Sequence, residues 1–152
     1  MPASPLSFGG EESFAVPPER LFAVLADLDQ LAKIIPDLVS AEKIDDRTLH
    51  CVVRPGFSFL RGTLRLTISL VELHPPESAL MTVAAAGIGA QIQVSSELQI
   101  AATETGSRLT WSAKAVELKG LAATISRPLI SAAAEKTIRT AWQRVHAELD
   151  GG

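Results

Sequence analysis

The chain has 152 residues, of which 47% are hydrophobic, 5% aromatic and 20% charged, with a formal net charge of -3. That is one ordinary domain's length, enough to bury about 70% of the unfolded surface without disulfides or a structural metal. A pI near 5.6, with five Phe, two Trp and no Tyr, argues against nucleic acid, which asks for basic patches and stacking rings.

No repeat period, low-complexity tract or linker interrupts the chain, so residues 1–152 are expected to form a single domain. No apolar run approaches the roughly 18 to 20 residues of a membrane helix. The start, Met1-Pro2-Ala3-Ser4-Pro5, lacks the basic and apolar regions of a signal peptide. A cytoplasmic protein is the expectation. Cys51 is the sole cysteine, which rules out an intrachain disulfide, and its apolar setting predicts a buried, inert thiol.

In chain order, Ser7 to Val16 reads as a strand, stopped by Pro17-Pro18-Glu19. Proline is preset for a first helical turn and glutamate is favoured there, so a helix is predicted over Pro18 to Ala26, with Leu21, Phe22 and Leu25 apolar. A second short helix is predicted after Asp29 as N-cap, carrying Leu31, Ile34 and Ile35 and ending before Pro36. From Leu38 to Lys119 the apolar period becomes two. Turn signals stand at Asp45-Asp46, Pro55-Gly56, His74-Pro75-Pro76, Gly87-Ile88-Gly89 and Thr105-Gly106. About six antiparallel strands follow from that spacing. Ile92, Val94, Leu98 and Ile100 alternate with Gln91, Gln93, Ser95, Glu97 and Gln99, and Leu64, Leu66, Ile68 and Leu70 with Arg65, Thr67 and Ser69. Such strands present one apolar and one wet face. After Gly120 the period turns helical, with Ile130, Ala134, Ile138, Ala141, Val145 and Leu149 in one stripe and Pro128 expected to kink or restart the helix. The predicted class is α+β: a strand, two short helices, a curved antiparallel sheet of about seven strands in all, and a long terminal helix gripped by it.

Chemistry-bearing residues are few. His50, His74 and His146 match no metal-ligand spacing, so no metal is expected. Adjacent strand residues point to opposite faces, so His50 and Cys51 are not expected to act as a dyad. His74, in a proline-rich turn, and His146, on the last helix, are expected to be exposed and without chemistry. The pairs Glu11-Glu12 and Asp45-Asp46, and Glu135 four residues before Arg139, have sufficient structural explanations. Gly87-Ile88-Gly89 lacks the following helix of a phosphate loop and reads as a hairpin turn. No catalytic residue and no cofactor is assigned.

Polar or large residues on otherwise apolar faces say more. Ser96 shares a face with Val94 and Leu98 and could offer a hydroxyl to a ligand or bond within its own sheet. Trp111 shares a face with Leu109, Ala113 and Ala115, whose small side chains leave room beside the ring. Glu117 continues that face towards the strand end, where it would either guard a cavity mouth or meet solvent. Arg127, Lys136, Arg139 and Arg144 form either a docking surface or a solvated helix face.

Several segments in order resemble one family: Phe14-Ala15-Val16-Pro17-Pro18-Glu19-Arg20-Leu21-Phe22, Asp27-Leu28-Asp29-Gln30-Leu31-Ala32, Ile35-Pro36, and Gly120-Leu121-Ala122 with Arg127, Leu129 and Ile130. With these the chain is similar to the START-related SRPBCC superfamily, and within it to the carbon monoxide dehydrogenase G-subunit (CoxG) family. It departs at Asp37 and Ser126, where glycines are common. The resemblance implies the helix-grip (birch-allergen-like) fold and a hydrophobic cavity between sheet and terminal helix, used across the superfamily for lipids, sterols, polyketides and other apolar molecules, with a quinone or lipid the guest that an accessory role would fit. It also implies an accessory role beside a molybdenum-containing dehydrogenase, with peripheral attachment to the inner membrane face a further expectation. The residues expected to line the cavity are Leu66, Ile68, Met81, Val83, Val94, Ser96, Leu98, Trp111, Ala113, Leu129, Ala133 and Ile138. The rival expectations are a polyketide cyclase- or dehydratase-like enzyme in the same cavity, which needs an inward acid or base, and a pure protein-interaction module.

Overall fold

The computed structural model describes residues 6–56, 62–120 and 127–150, with Arg127 and Asp150 described by backbone alone. Met1 to Pro5, Leu121, Ala122 and Ser126, named above, lie outside the described residues. The strands are β1 (Ser7–Phe14), β2 (Leu38–Asp45), β3 (Thr48–Val53), β4 (Leu64–His74), β5 (Ser78–Gly87), β6 (Ala90–Thr103) and β7 (Gly106–Gly120). Among the described residues the helices are α1 (Pro18–Leu25), α2 (Leu28–Ile34) and α3 (Arg127–Asp150).

All strand pairs are antiparallel, and the sheet order is β1-β7-β6-β5-β4-β3-β2. Strands β2 to β6 each pair with the next in sequence, whereas β1 and β2 occupy opposite edges. The chain must therefore cross the whole sheet between them, and it does so as α1, packed on β6 and β7, and α2, packed on β2 and β3.

Local chemistry explains the crossing. Pro17 is extended, Pro18 opens α1, and Leu21, Phe22 and Leu25 bury one side of that helix. The cap of α2 is Asp27 rather than the expected Asp29: its carboxylate accepts from the backbone N–H of Asp29 at 2.9 Å and of Gln30 at 3.4 Å. Asp27 has the extended backbone an N-cap requires, while Asp29 already lies inside the first turn. Beyond Pro36, Asp37 takes a φ of 59°, a left-handed conformation that glycine adopts freely and aspartate tolerates. The departure from the family pattern thus falls where backbone geometry favours glycine.

Alternation sets the inner face. Register pairs Leu49 with Ile68, Ile68 with Val83, Val83 with Val94 and Val94 with Ala115, so one apolar row crosses five strands. One closed cluster beneath α1 joins Phe14, Leu21, Leu25, Leu98, Leu109, Val145 and Leu149, and a second beneath α2 joins Leu28, Leu31, Leu49, Cys51, Ile68 and Leu70. Ser107, 1% exposed at the start of β7, is satisfied by donating its hydroxyl to the Val16 carbonyl at 2.8 Å. Pro128 lies in the first turn of α3 and starts the helix instead of kinking it.

Candidate ligand-binding site

The terminal helix covers the inner face unevenly. Val145 and Leu149, in its last turns, are fully packed, and α3 leans on α2 and β1. Arg144 fastens that end by donating from Nη1 to the Ile35 carbonyl at 2.9 Å. Nearer the helix start Ala133 and Ile138 are only half-buried and Leu129 is 41% exposed.

The sheet beneath shows the same gradient. Ile68 and Leu98 belong to the closed clusters, whereas Leu66, Met81, Val83, Val94, Ser96, Trp111 and Ala113 are half-buried on the inner face. Ser96 makes no side-chain hydrogen bond among the described residues, so its hydroxyl is open to a further partner. Glu117 is not on this face. A bulge between Gln93 and Val94 of β6 and their β7 partners leaves Val116 unpaired and sets Glu117 opposite Gln93, on the outer side. There Glu117 pairs with Lys119 at 2.6 Å, which pushes the exposed lysine's pKa up through a hydrogen bond and the opposite charge.

A groove of about 530 Å³ opens between β1 and α3. Its helix wall is Glu135, Ile138, Arg139, Trp142, Gln143 and His146, read at three- and four-residue steps, with Ile138 shared with the apolar stripe. Its other wall is Ser7, Phe8, Gly9 and Glu12 of β1 with Trp111 behind them. Gly10 is what lets Trp111 sit there: a Cβ at that position would lie 3.2 Å from Nε1 and Cζ2 of the indole. The Trp111 and Trp142 rings are 6.0 Å apart and tilted by 38°.

The expectation for His146 fails at this groove. It is half-buried, stacks on Phe14 with ring centroids 4.3 Å apart, and places Nε2 2.8 Å from Oε1 of Glu12. Glu12 lies within β1, on the face of the buried Phe14, so sheet alternation carries it inward. Two residues 134 apart in sequence thus meet because β1 and the last helix lie side by side.

The other residues weighed from the sequence take the following places. Cys51 is buried on the inner face and His50 exposed on the outer, so the two cannot form a dyad. Gly87-Ile88-Gly89 joins β5 to β6 as a turn, with Ile88 at φ 55°. Among the described residues no group of three or more His, Cys, Asp or Glu could hold a metal ion. Two buried polar atoms there lack a hydrogen-bond partner, Gln30 Oε1 and Trp111 Nε1.

A curved antiparallel sheet that grips a C-terminal helix, with two short helices between its first two strands, defines a START-like helix-grip protein. Solved structures carry the same fold. A conserved protein from Geobacillus kaustophilus matches with a TM-score of 0.87 at 19% identity, covering 96% of each chain. A START superfamily protein from Mycobacterium smegmatis matches with 0.69 at 11% identity, over 98% of this chain and 99% of that one. Ara h 8.0201 matches with a TM-score of 0.73 at 16% identity, over 97% of this chain and 99% of that one. The chain belongs to the carbon monoxide dehydrogenase G-subunit (CoxG) family, whose model matches residues 10–150. No curated protein sequence matches it.

Proposed function

We propose that this protein binds a hydrophobic small molecule, a lipid, quinone or similar, between the sheet and the first half of α3, as an accessory to a carbon monoxide dehydrogenase-type redox enzyme. The carrying observation is the half-buried apolar inner face: Val94 and Ala113, with Leu66, Met81 and Val83 at the margin of the cluster beneath α2, belong to a sheet whose terminal helix packs fully only at Val145 and Leu149. Apolar side chains in a finished core are sealed by a second layer. A guest burying roughly 300 Å² of apolar surface there gains on the order of 7 kcal/mol before the costs of association. Family membership supports the ligand class, and the family's name supports the redox partner.

The test is to purify the protein natively, extract it with organic solvent and identify what is released by mass spectrometry. A stoichiometric apolar compound is the expected result. Repeated recovery of empty protein, with no change in tryptophan emission on titration with apolar ligands, sinks the reading. The absence of Tyr leaves that emission to two residues.

One observation favours a second reading, a cyclase- or dehydratase-like enzyme: Glu12 and His146 supply the inward acid–base pair that such chemistry requires. We place it second, because stacking on Phe14 and the joining of α3 to β1 already give the pair a packing role.

A further inference from the structure

Sequence alone leaves the Ser96 hydroxyl two fates, a bond within its own sheet or a bond to a guest, and the first is not taken. Ser96 makes no side-chain hydrogen bond among the described residues. The residue is half-buried, yet its Oγ is not sealed off as Gln30 Oε1 and Trp111 Nε1 are, so a small molecule can reach it. Its neighbours on the inner face are apolar. Val94 and Leu98 flank it along β6, and register sets Met81 on one side and Ala113 on the other. The row continues through Ala113 to Phe8, which lines the groove beside α3.

A hydroxyl within reach of water is satisfied by water. A hydrocarbon laid over the inner face strips that water and offers nothing in return, and an unpaired buried hydroxyl is costly. A guest that covers Ser96 without that cost brings its own hydrogen-bonding atom to that point.

We propose that Ser96 orients the bound molecule by donating its Oγ–H to an uncharged oxygen set within the guest's carbon skeleton, an internal ketone or ester carbonyl. This deepens the reading above and rests on it. The neighbours select the chemistry. Because apolar side chains flank Ser96 both along β6 and across it, the guest lies on carbon on either side of the oxygen, as a terminal head does not. A carboxylate there would meet one neutral donor among apolar side chains, too little to replace its water. The charged residues Glu12, Glu135, Arg139 and His146 line the groove, and Ser96 does not. A guest hydroxyl paired with Ser96 would leave one of the two O–H hydrogens without an acceptor, whereas a carbonyl leaves none.

The test uses the whole chain, wild type and Ser96→Ala, with 5-nonanone and nonane as probes, alike except for the central carbonyl. Each probe is compared with itself between the two proteins, so the difference in water solubility cancels. We expect Ser96→Ala to bind 5-nonanone about tenfold more weakly, as the loss of one hydrogen bond allows, and nonane no more weakly than wild type. The infrared carbonyl band of bound 5-nonanone, 13C-labelled at the carbonyl, should move to higher wavenumber in Ser96→Ala. An unchanged affinity for 5-nonanone, an unmoved band, an equal loss for nonane, or binding of nonane alone each overturns the proposal while apolar binding stands. Binding of neither probe to the wild type overturns the underlying reading and this inference with it. Should Ser96→Ala fail to fold, Ser96→Cys, a weaker donor of similar shape, takes its place with the same shifts expected in smaller measure.

Discussion

At the scale of single residues, position in the sheet decides chemistry. Cys51, 2% exposed on the inner face of β3, has its thiol pKa pushed up by burial. Ionisation is thus delayed to higher pH than in a free cysteine, and the reactive thiolate is scarcer. We expect an aromatic disulfide reagent at pH 8 to leave the native protein unlabelled and to titrate one thiol per chain after denaturation; rapid labelling of the native protein would contradict the burial. Cys51 and His50 were legible from the sequence because strand alternation is a local rule. The Glu12–His146 contact was not, since it depends on how a strand and a helix 134 residues apart come to lie together. The nearest signal was Gly9-Gly10, two glycines inside a strand pattern, which mark a place where something approaches the backbone closely.

At the scale of elements, caps and bulges correct the periodic reading. Asp27 is exposed and gains nothing from burial, so its contribution lies in pairing the first N–H groups of α2. Asp27→Ala should cost about 1 kcal/mol in urea denaturation, and Asp27→Asn much less, since an amide oxygen can still accept. A cost for Asp29→Ala larger than for Asp27→Ala would return the cap to Asp29. The alternation of Ile92, Val94, Leu98 and Ile100 was fully legible, because β6 runs opposite β5 without a register shift. The end of β7 was not: one bulge residue, Val116, inverts every side chain after it, and a period of two gives no warning of an inserted residue. In α3 the sheet-facing stripe was legible from Ala134 to Leu149. The adjacent face of Glu135, Arg139, Trp142 and His146 was not, since a mixed polar face reads as solvated until the edge of β1 is brought beside it.

At the scale of the whole molecule, the grip is tight at one end and slack at the other. Val145 is wholly buried and Leu149 nearly so, while the first turns of α3 bury no side chain among those described. Local stability follows buried contact, so amide exchange should be faster in residues 128–138 than in 142–149 of the unliganded protein. A bound apolar guest should slow the first segment and leave the second unchanged. Hydrogen exchange read by mass spectrometry distinguishes this from uniform protection, which would mean that α3 docks as one unit. The sheet's two edges meet different fates. The helix wall stands beside β1, whereas the free edge of β2 has no covering element among the described residues, with Val39 and Ile44 58% and 47% exposed. Both residues are register slips, between Leu38 and Ser40 and between Lys43 and Asp45, so the strand is interrupted twice within eight residues. An open edge invites another sheet to add to it only if it offers a regular ladder of main-chain groups, and two breaks with a lysine between them remove that regularity. The same irregularity that leaves two apolar side chains in water therefore shields the protein from growing into a continuous sheet with its neighbours in a crowded solution.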